Sequence, residues 1–498
     1  MKTRTTGQDY QLPVGAEACF LSRQTNPAGA GALMIVAPDA VRLVELEREL
    51  QFFAPHLSVA SLPGRGITPY EPIRMDSSIA AQRVAAISRL ASRKADMLLV
   101  TPEALLGRIP DPARWPTLEL AAGNFYARDS LITSLLDLGY HRVDLVEAVG
   151  QFSVKGSVLD LFAAQLEHPL RLDFLGDELE SMHAFDIESQ RRRQAIGNLL
   201  VGPVQEFVLQ EGERQRFQKE CQARGWSAEE ETISSLLPLA FPLAVPSALL
   251  CDLPGVGRFC AIEWERTRER FVALLSELEA LHERSAVGLP PDQLFFTDVL
   301  SWLEGRADRF SALVGTPTGF QPATAFNGRI PQVRATLAEL VQQGARVVVT
   351  SPHEAQQKRI ASFLQTEGNP VHYLAEITDL PDAPSAGLFV ALAFQKQGFA
   401  LPAEGLYFWT DNEIFGRSAR TARFKSEFST ALSSFIDLKE NDYVVHIKHG
   451  IGKFLRLERV TADQKERDFL VLEYAGGDIL YVPLDQISLV QRYVAPVS

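Results

Sequence analysis

Cysteine is scarce: Cys19, Cys221, Cys251 and Cys260 are the only four in 498 residues. They are scattered and form no CxxC pair, so the sequence supports neither a disulfide framework nor a thiolate metal site. A reducing, cytoplasmic compartment fits that usage. Apolar runs of the roughly 18 residues that suggest a membrane span are missing. The start, MKTRTTGQDYQLPVG, lacks the apolar segment of a signal peptide. Positive charge is in deficit, with 49 Lys and Arg against 62 Asp and Glu for a net charge of -13. That balance opposes an overall electrostatic grip on nucleic acid, while leaving room for a local basic patch.

Catalytic signatures are missing as well. A phosphate-cradling loop needs G-x-x-x-x-G-K-[ST], so that backbone N–H groups and a lysine reach the phosphates. The nearest stretch, Asn26 to Gly31, has glycines but no Lys-Ser/Thr and reads as a turn. Gly64-Arg65-Gly66 falls short of a dinucleotide fingerprint. Asp177-Glu178-Leu179-Glu180 looks like a magnesium-binding DExx box, but with no phosphate loop to serve it reads as exposed turn carboxylates. His446 and His449 sit on a strand and its turn, a spacing that suits turn or partner-facing roles better than metal ligation. No G-x-S-x-G elbow is present. The expectation is a chain with no catalytic residue, no metal and no cofactor.

What the sequence does contain is ordinary globular material, 46% hydrophobic and 22% charged, long enough for about three to five domains. The fold class expected is multidomain α/β and α+β. Residues 1–121 alternate strand-like runs (32–37, 58–62, 97–101) with helical periodicity at 41–53 and 78–90, which predicts a parallel sheet. Residues 122–205 change texture: a helix at 130–138, then strands at 144–149, 157–162 and 170–174, predict an inserted hairpin-rich domain. Residues 206–311 read as largely helical, especially 262–285, preceded by a loop at CDLPGVGRFC. Residues 312–416 form a second α/β unit, with helices at 331–343 and 353–365 and strands at 346–350, 371–374, 387–392 and 405–409. Residues 417–437 carry Arg417, Arg420, Arg423 and Lys425, and read as a solvated linker helix or a nucleic-acid- or partner-contacting connector. Residues 438–498 hold four or five short strands separated by glycine turns, which predict a small SH3/Tudor-like β barrel.

Two surfaces invite binding roles. Residues 131–202 carry eleven acids against six bases, and Arg142, Lys155 and Arg171 each sit in or beside an expected strand. Brought together with Phe174 they would form an Arg/aromatic face of the kind that dominates interface energetics; the alternative is a set of independent surface charges. In the last module, so small a barrel leaves strand edges open, and an open edge can accept a strand from another chain or serve only internally.

The strings YVVHIKHGIGKFLRLERV and DFLVLEYAGGDILYVPLDQISLVQRYV closely resemble the RNA-polymerase-interacting domain of the bacterial transcription-repair coupling factor family, which shares a Tudor-like fold with CarD-type regulators. LGYHRVDLVEAVGQFSVKGSVLDLF and RLDFLGDELESMHAFDIESQRR resemble the UvrA-binding domain which that family shares with UvrB. ITPYEPIRMDSS and TPEALLGR match the family's first α/β domain, and TDNEIFGR the end of its third. The resemblance implies a degenerate, P-loop-type UvrB-like domain without its phosphate loop. It implies UvrA contacts at Arg142, Lys155, Arg171, Asp173 and Phe174, with Lys155 a point charge where relatives often carry the arginine fork. It implies contacts with the β subunit of RNA polymerase at Leu457, Val460, Leu480 and Tyr481. ATP and magnesium would belong to a DNA translocase motor beyond Ser498, which would also make the main DNA contacts, so the chain is expected to be the family's N-terminal portion. The function expected is an adaptor between stalled polymerase and UvrA. The alternatives are a stand-alone CarD-like regulator and a UvrB-like, nucleotide-dependent DNA-loading protein.

Overall fold

The computed structural model describes residues 9–24, 31–65, 70, 77–166, 168–187, 189–209, 211–226, 242, 247–253, 255–284, 289–312, 319–365, 370–381, 385–416, 443–446, 450–462, 465–473, 479–483 and 490–492, together with the backbone of those in strands. Most of the 26–31 stretch, most of ITPYEPIRMDSS, the basic 417–437 segment, Lys448, His449 and the 475–478 turn lie outside the described residues. Two compact units are present, Met1–Gly416 and Arg417–Ser498.

The first unit is built on an all-parallel sheet whose strands run, in spatial order, Asp9–Leu12, Asp308–Ala312, Val256–Ala261, Ala32–Val36, Met97–Val100 and Val59–Leu62. The central strand ALMIV is buried at every position, because a parallel sheet covered by helices has no wet face. Its side chains alternate between two cores. Ala32, Met34 and Val36 pack with the helix Trp264–Arg284 through Phe271, Leu274 and Leu278, whereas Leu33 and Ile35 face Leu43, Leu46 and Leu50 of the helix Ala40–Phe53. Asp39 caps that helix, its carboxylate accepting from Arg42 N at 2.8 Å.

A second sheet, in the order Gln321–Pro322, Phe399–Leu401, Leu406–Thr410, Arg346–Ser351, Gly387–Leu392 and Val371–Leu374, is parallel through its last four strands. It is no isolated unit. Val348, Phe389, Phe399 and Phe408 belong to the same core as Leu33, Ile35 and the helix Ala40–Phe53, and the Phe53 ring lies 5.2 Å from that of Phe408. Gly15, at φ +89°, brings the two sheets so close that a Cβ there would lie 2.3 Å from Gln397 O. An ion cluster seals the same junction. Arg42 is 1% exposed and lies 3.0 Å from Glu49 and from Glu263, 3.3 Å from Glu17 and 3.7 Å from Glu45. From the second sheet, Lys396 N donates to Glu49 at 2.9 Å, and Lys396 Nζ pairs with Glu263 at 3.0 Å.

Between the strands of the first sheet comes a separate, mostly antiparallel sheet ordered Arg192–Ala195, Glu178–Phe185, Leu170–Leu175, Val158–Leu161, Gln151–Lys155 and His141–Arg142. The strand expected at 144–149 does not form. Only His141–Arg142 pairs, and the Glu147 and Ala148 N–H groups go instead to the Gln151 side chain at 2.9 and 3.0 Å. The Asp177-Glu178-Leu179-Glu180 stretch is only half a turn, because Glu178 already opens an eight-residue strand. The loop expected at CDLPGVGRFC contains the strand Val256–Ala261, which slips register between Val256 and Arg258 where Gly257 intervenes. All four cysteines are buried and unpaired, and burial pushes the Cys19 and Cys251 thiols up to about 12.

The second unit is a five-stranded antiparallel sheet in the order Ile479–Pro483, Lys465–Glu473, Gly450–Ala462, Tyr443–His446 and Val490–Arg492. Phe454, Val471 and Leu472 are its buried apolar positions among the described residues. No helix among the described residues is long and apolar enough to cross a membrane.

Candidate protein-interaction surfaces

The strand Leu170–Leu175 reads LRLDFL, and its period of two sorts the sheet's faces. Leu170, Leu172 and Phe174 enter a core with Phe152, Leu159, Leu161 and Met182. Arg171, Asp173 and Leu175 take the opposite face. Cross-strand register sets Arg171 beside Asp160 and His183, and Asp173 beside Val158, which in turn lies opposite Lys155.

Arg171 is held as a fork. Its Nε lies 2.7 Å from Asp160 Oδ1 and its Nη2 2.8 Å from Oδ2, while Nη2 also donates to Gln190 Oε1 at 2.9 Å. Its guanidinium carbon stands 4.5 Å from the Phe185 ring centroid. A bidentate, ring-stacked guanidinium has lost its rotamer freedom before any partner arrives. Asp173 accepts from Ser181 Oγ at 3.0 Å and Arg192 Nη2 at 3.1 Å, and His183 Nδ1 lies 3.6 Å away. Burial first, then the Arg192 charge, lowers the His183 pKa and favours the neutral ring. Lys155 and Arg142 are exposed, Arg142 on the sheet's edge strand.

Phe174 does not share this face. It is 5% exposed, inside the core, with the Arg128 guanidinium 5.7 Å from its ring. Its parity with Leu170 and Leu172 was the available signal. The apolar groups that reach solvent nearby are Leu175 and Phe125, 65% and 74% exposed. Sequence reasoning passed over both, since single exposed apolar residues leave no pattern.

In the second unit, Gly450–Ala462 pairs with Tyr443–His446 only through residues 450–453, and with Lys465–Glu473 along nearly its whole length. From Leu457 onward its other edge has no ladder partner among the described residues, and Leu457 and Val460 lie on this segment, opposite Leu470 and Arg467. Leu480 and Tyr481 lie elsewhere, on the outermost strand Ile479–Pro483, opposite Leu472 and Val471. The strand Lys465–Glu473 separates the two pairs.

Sequence-family models coincide with both sheets. One described as the UvrB interaction domain matches residues 118–207, and one described as the CarD-like/TRCF RID domain matches residues 438–494. A transcription-repair-coupling factor of Bacillus subtilis (strain 168) is 24% identical over 533 residues, covering 97% of this chain and 44% of the relative. The chain is related to the transcription-repair-coupling factors. A second coupling factor, from Staphylococcus aureus (strain NCTC 8325 / PS 47), is 23% identical over 93% of the chain and 43% of its own length. The chain thus spans less than half the length of these coupling-factor relatives.

Proposed function

We propose that this chain is a two-ended protein adaptor of transcription-coupled DNA repair, acting by binding rather than by chemistry. One end is the sheet within residues 122–205, which docks UvrA through the outer face bearing Arg171, Lys155 and Asp173; Arg142, exposed on the edge strand, is in register with the core residue Phe152 and lies off that row. The observation that carries this reading is the Arg171–Asp160 fork. It holds a partly exposed arginine rigid on the outer face of the sheet that the UvrB interaction domain matches. Leu175, rather than the buried Phe174, supplies an apolar contact farther along the same face.

The other end, residues 438–498 as a Tudor-like barrel, takes a strand of the RNA polymerase β subunit onto the edge at Leu457–Ala462. Backbone N–H and C=O groups there supply affinity, and Leu457 and Val460 supply selectivity. Residues 1–121 and 206–311 form a degenerate P-loop-type frame, and 312–416 buttresses it through the shared core. ATP-driven motor chemistry is assigned to other parts of coupling factors.

The test is size-exclusion chromatography of the chain with UvrA and, separately, with RNA polymerase. Arg171→Glu should abolish co-elution with UvrA and leave polymerase binding intact, whereas Leu457→Arg should do the reverse. Retention of UvrA by a folded Arg171→Glu chain would sink the assignment.

A further inference from the structure

Phe125 is the most exposed large apolar side chain among the described residues, yet its backbone is firmly held. Tyr126 N donates to Asp177 O at 2.7 Å, Leu179 N to Asn124 O at 2.9 Å, and Gly123 N to Leu179 O at 2.7 Å. The Tyr126 hydroxyl pins the same loop from behind, accepting from Ala121 N at 2.8 Å and donating to Glu119 O at 3.2 Å. These bonds make Phe125 and Glu178 a bridged antiparallel pair. Glu178 is in turn the register partner of Leu175. Directly opposed residues share a face, so Leu175, Glu178 and Phe125 form one row on the same face as Asp173 and Arg171.

Strand spacing puts Phe125 about 10 Å from Leu175, and the row lies about 14 Å along the strand from Arg171. A standard interface covers about 800 Å² per partner, wide enough to take in both. An aromatic group fixed by backbone hydrogen bonds has already met the ordering cost that usually weakens a contact. Its neighbours are carboxylates: Asp177 and Glu180 are exposed, and Glu178 lies between the two apolar groups.

We infer that Phe125 is a second anchor of the UvrA-docking face, receiving from the same partner an apolar side chain with a lysine or arginine beside it. This rests on the docking role proposed above for Arg171, and it extends that face beyond the 131–202 region where charge alone had pointed.

The test measures the affinity of the full chain for UvrA by biolayer interferometry at about 0.1 and 0.5 M salt. Phe125→Ala should weaken binding about tenfold by a factor that salt leaves unchanged, since apolar contacts are not screened. Phe125→Trp should restore it. Neither substitution should shift the melting temperature by more than about a degree, because the side chain is 74% exposed. If Phe125→Ala stays within twofold of the parent while Arg171→Glu abolishes binding, the anchor is wrong and the docking face stands. If Phe125→Ala weakens binding and Arg171→Glu does not, the anchor stands and the Arg171 reading falls. Loss of self-association by light scattering, with UvrA affinity unchanged, would assign the residue to a contact between copies and overturn the inference.

Discussion

Replacing Arg42 with methionine tests how the two large sheets are held together. Arg42 is 1% exposed and Glu49 fully buried, and Arg42 also serves Glu17, Glu45 and Glu263. Methionine keeps much of the volume but leaves buried carboxylates without their cation. Removing one member of a buried ion pair costs about 3–5 kcal/mol. Against a typical domain stability of about 5–15 kcal/mol, and with about 2–3 kcal/mol/M of urea dependence, the unfolding midpoint should fall by roughly 1–2 M. Fluorescence reports it, since Trp409 is buried in the second sheet. The effect should also depend on pH. Burial raises the Glu49 pKa from 4.5 to about 7, against the pull of Arg42. A carboxyl raised in the folded state carries a penalty that grows from about 4.5 and levels off above its folded pKa of about 7; removing Arg42, which pulls that pKa down, extends the penalty above 7, so the substitution should hurt more near pH 8 than near pH 5. Pairing the change with Glu49→Leu, which removes the most buried carboxylate, should recover a large part of the loss. A midpoint within about 0.3 M of the parent at pH 8 would refute the argument that this cluster needs its cation.

Phe174→Ala should empty part of a packed core and cost about 3–5 kcal/mol in thermal or urea unfolding, while Leu175→Ala should leave unfolding unchanged and weaken UvrA binding; the reverse pattern would contradict the assignment of faces. Gly15→Ala should lower the melting temperature by several degrees, because its Cβ would meet Gln397 O at 2.3 Å and its φ is +89°; an unchanged melt would show that the sheets have slack there. Burial tends to raise the Glu206 pKa, but Arg65 and Arg83 outweigh it and hold the group at about 2. Its stabilising effect is therefore complete above about 4.5 and lost as pH falls toward 2. Glu206→Gln should destabilise the neutral protein by about 3–5 kcal/mol and flatten its acid transition, as read by circular dichroism against pH.

The apolar runs were the legible part of this fold. ALMIV and RVVVTS read as buried strands because nothing polar interrupts them, and both take central places in their sheets. VGRFCA did not, since its glycine and arginine mimic a loop, although it pairs with ALMIV. The segment DLVEAV is apolar enough to read as a strand, yet the Gln151 side chain captures the N–H groups a ladder would use. Of the recognition face, Arg171 and Asp173 were visible as charges on a strand, and the fork to Asp160 depends on a hairpin register that spacing leaves open. Phe125 and Leu175 lie fifty residues apart in the chain and meet only through Glu178. The core joining Leu33 to Phe408 spans most of the first unit and has no local signature.

The interleaved order of the strands has a consequence for synthesis. Every strand of the Arg171 sheet comes from residues 141–195, whereas the parallel sheet that flanks it in sequence needs Asp308–Ala312 before its order is complete. At about 5–20 residues per second, the ribosome delivers the whole Arg171 sheet roughly 5–20 seconds before its host can close. That sheet can therefore fold on the growing chain while the frame around it still waits for its last strand.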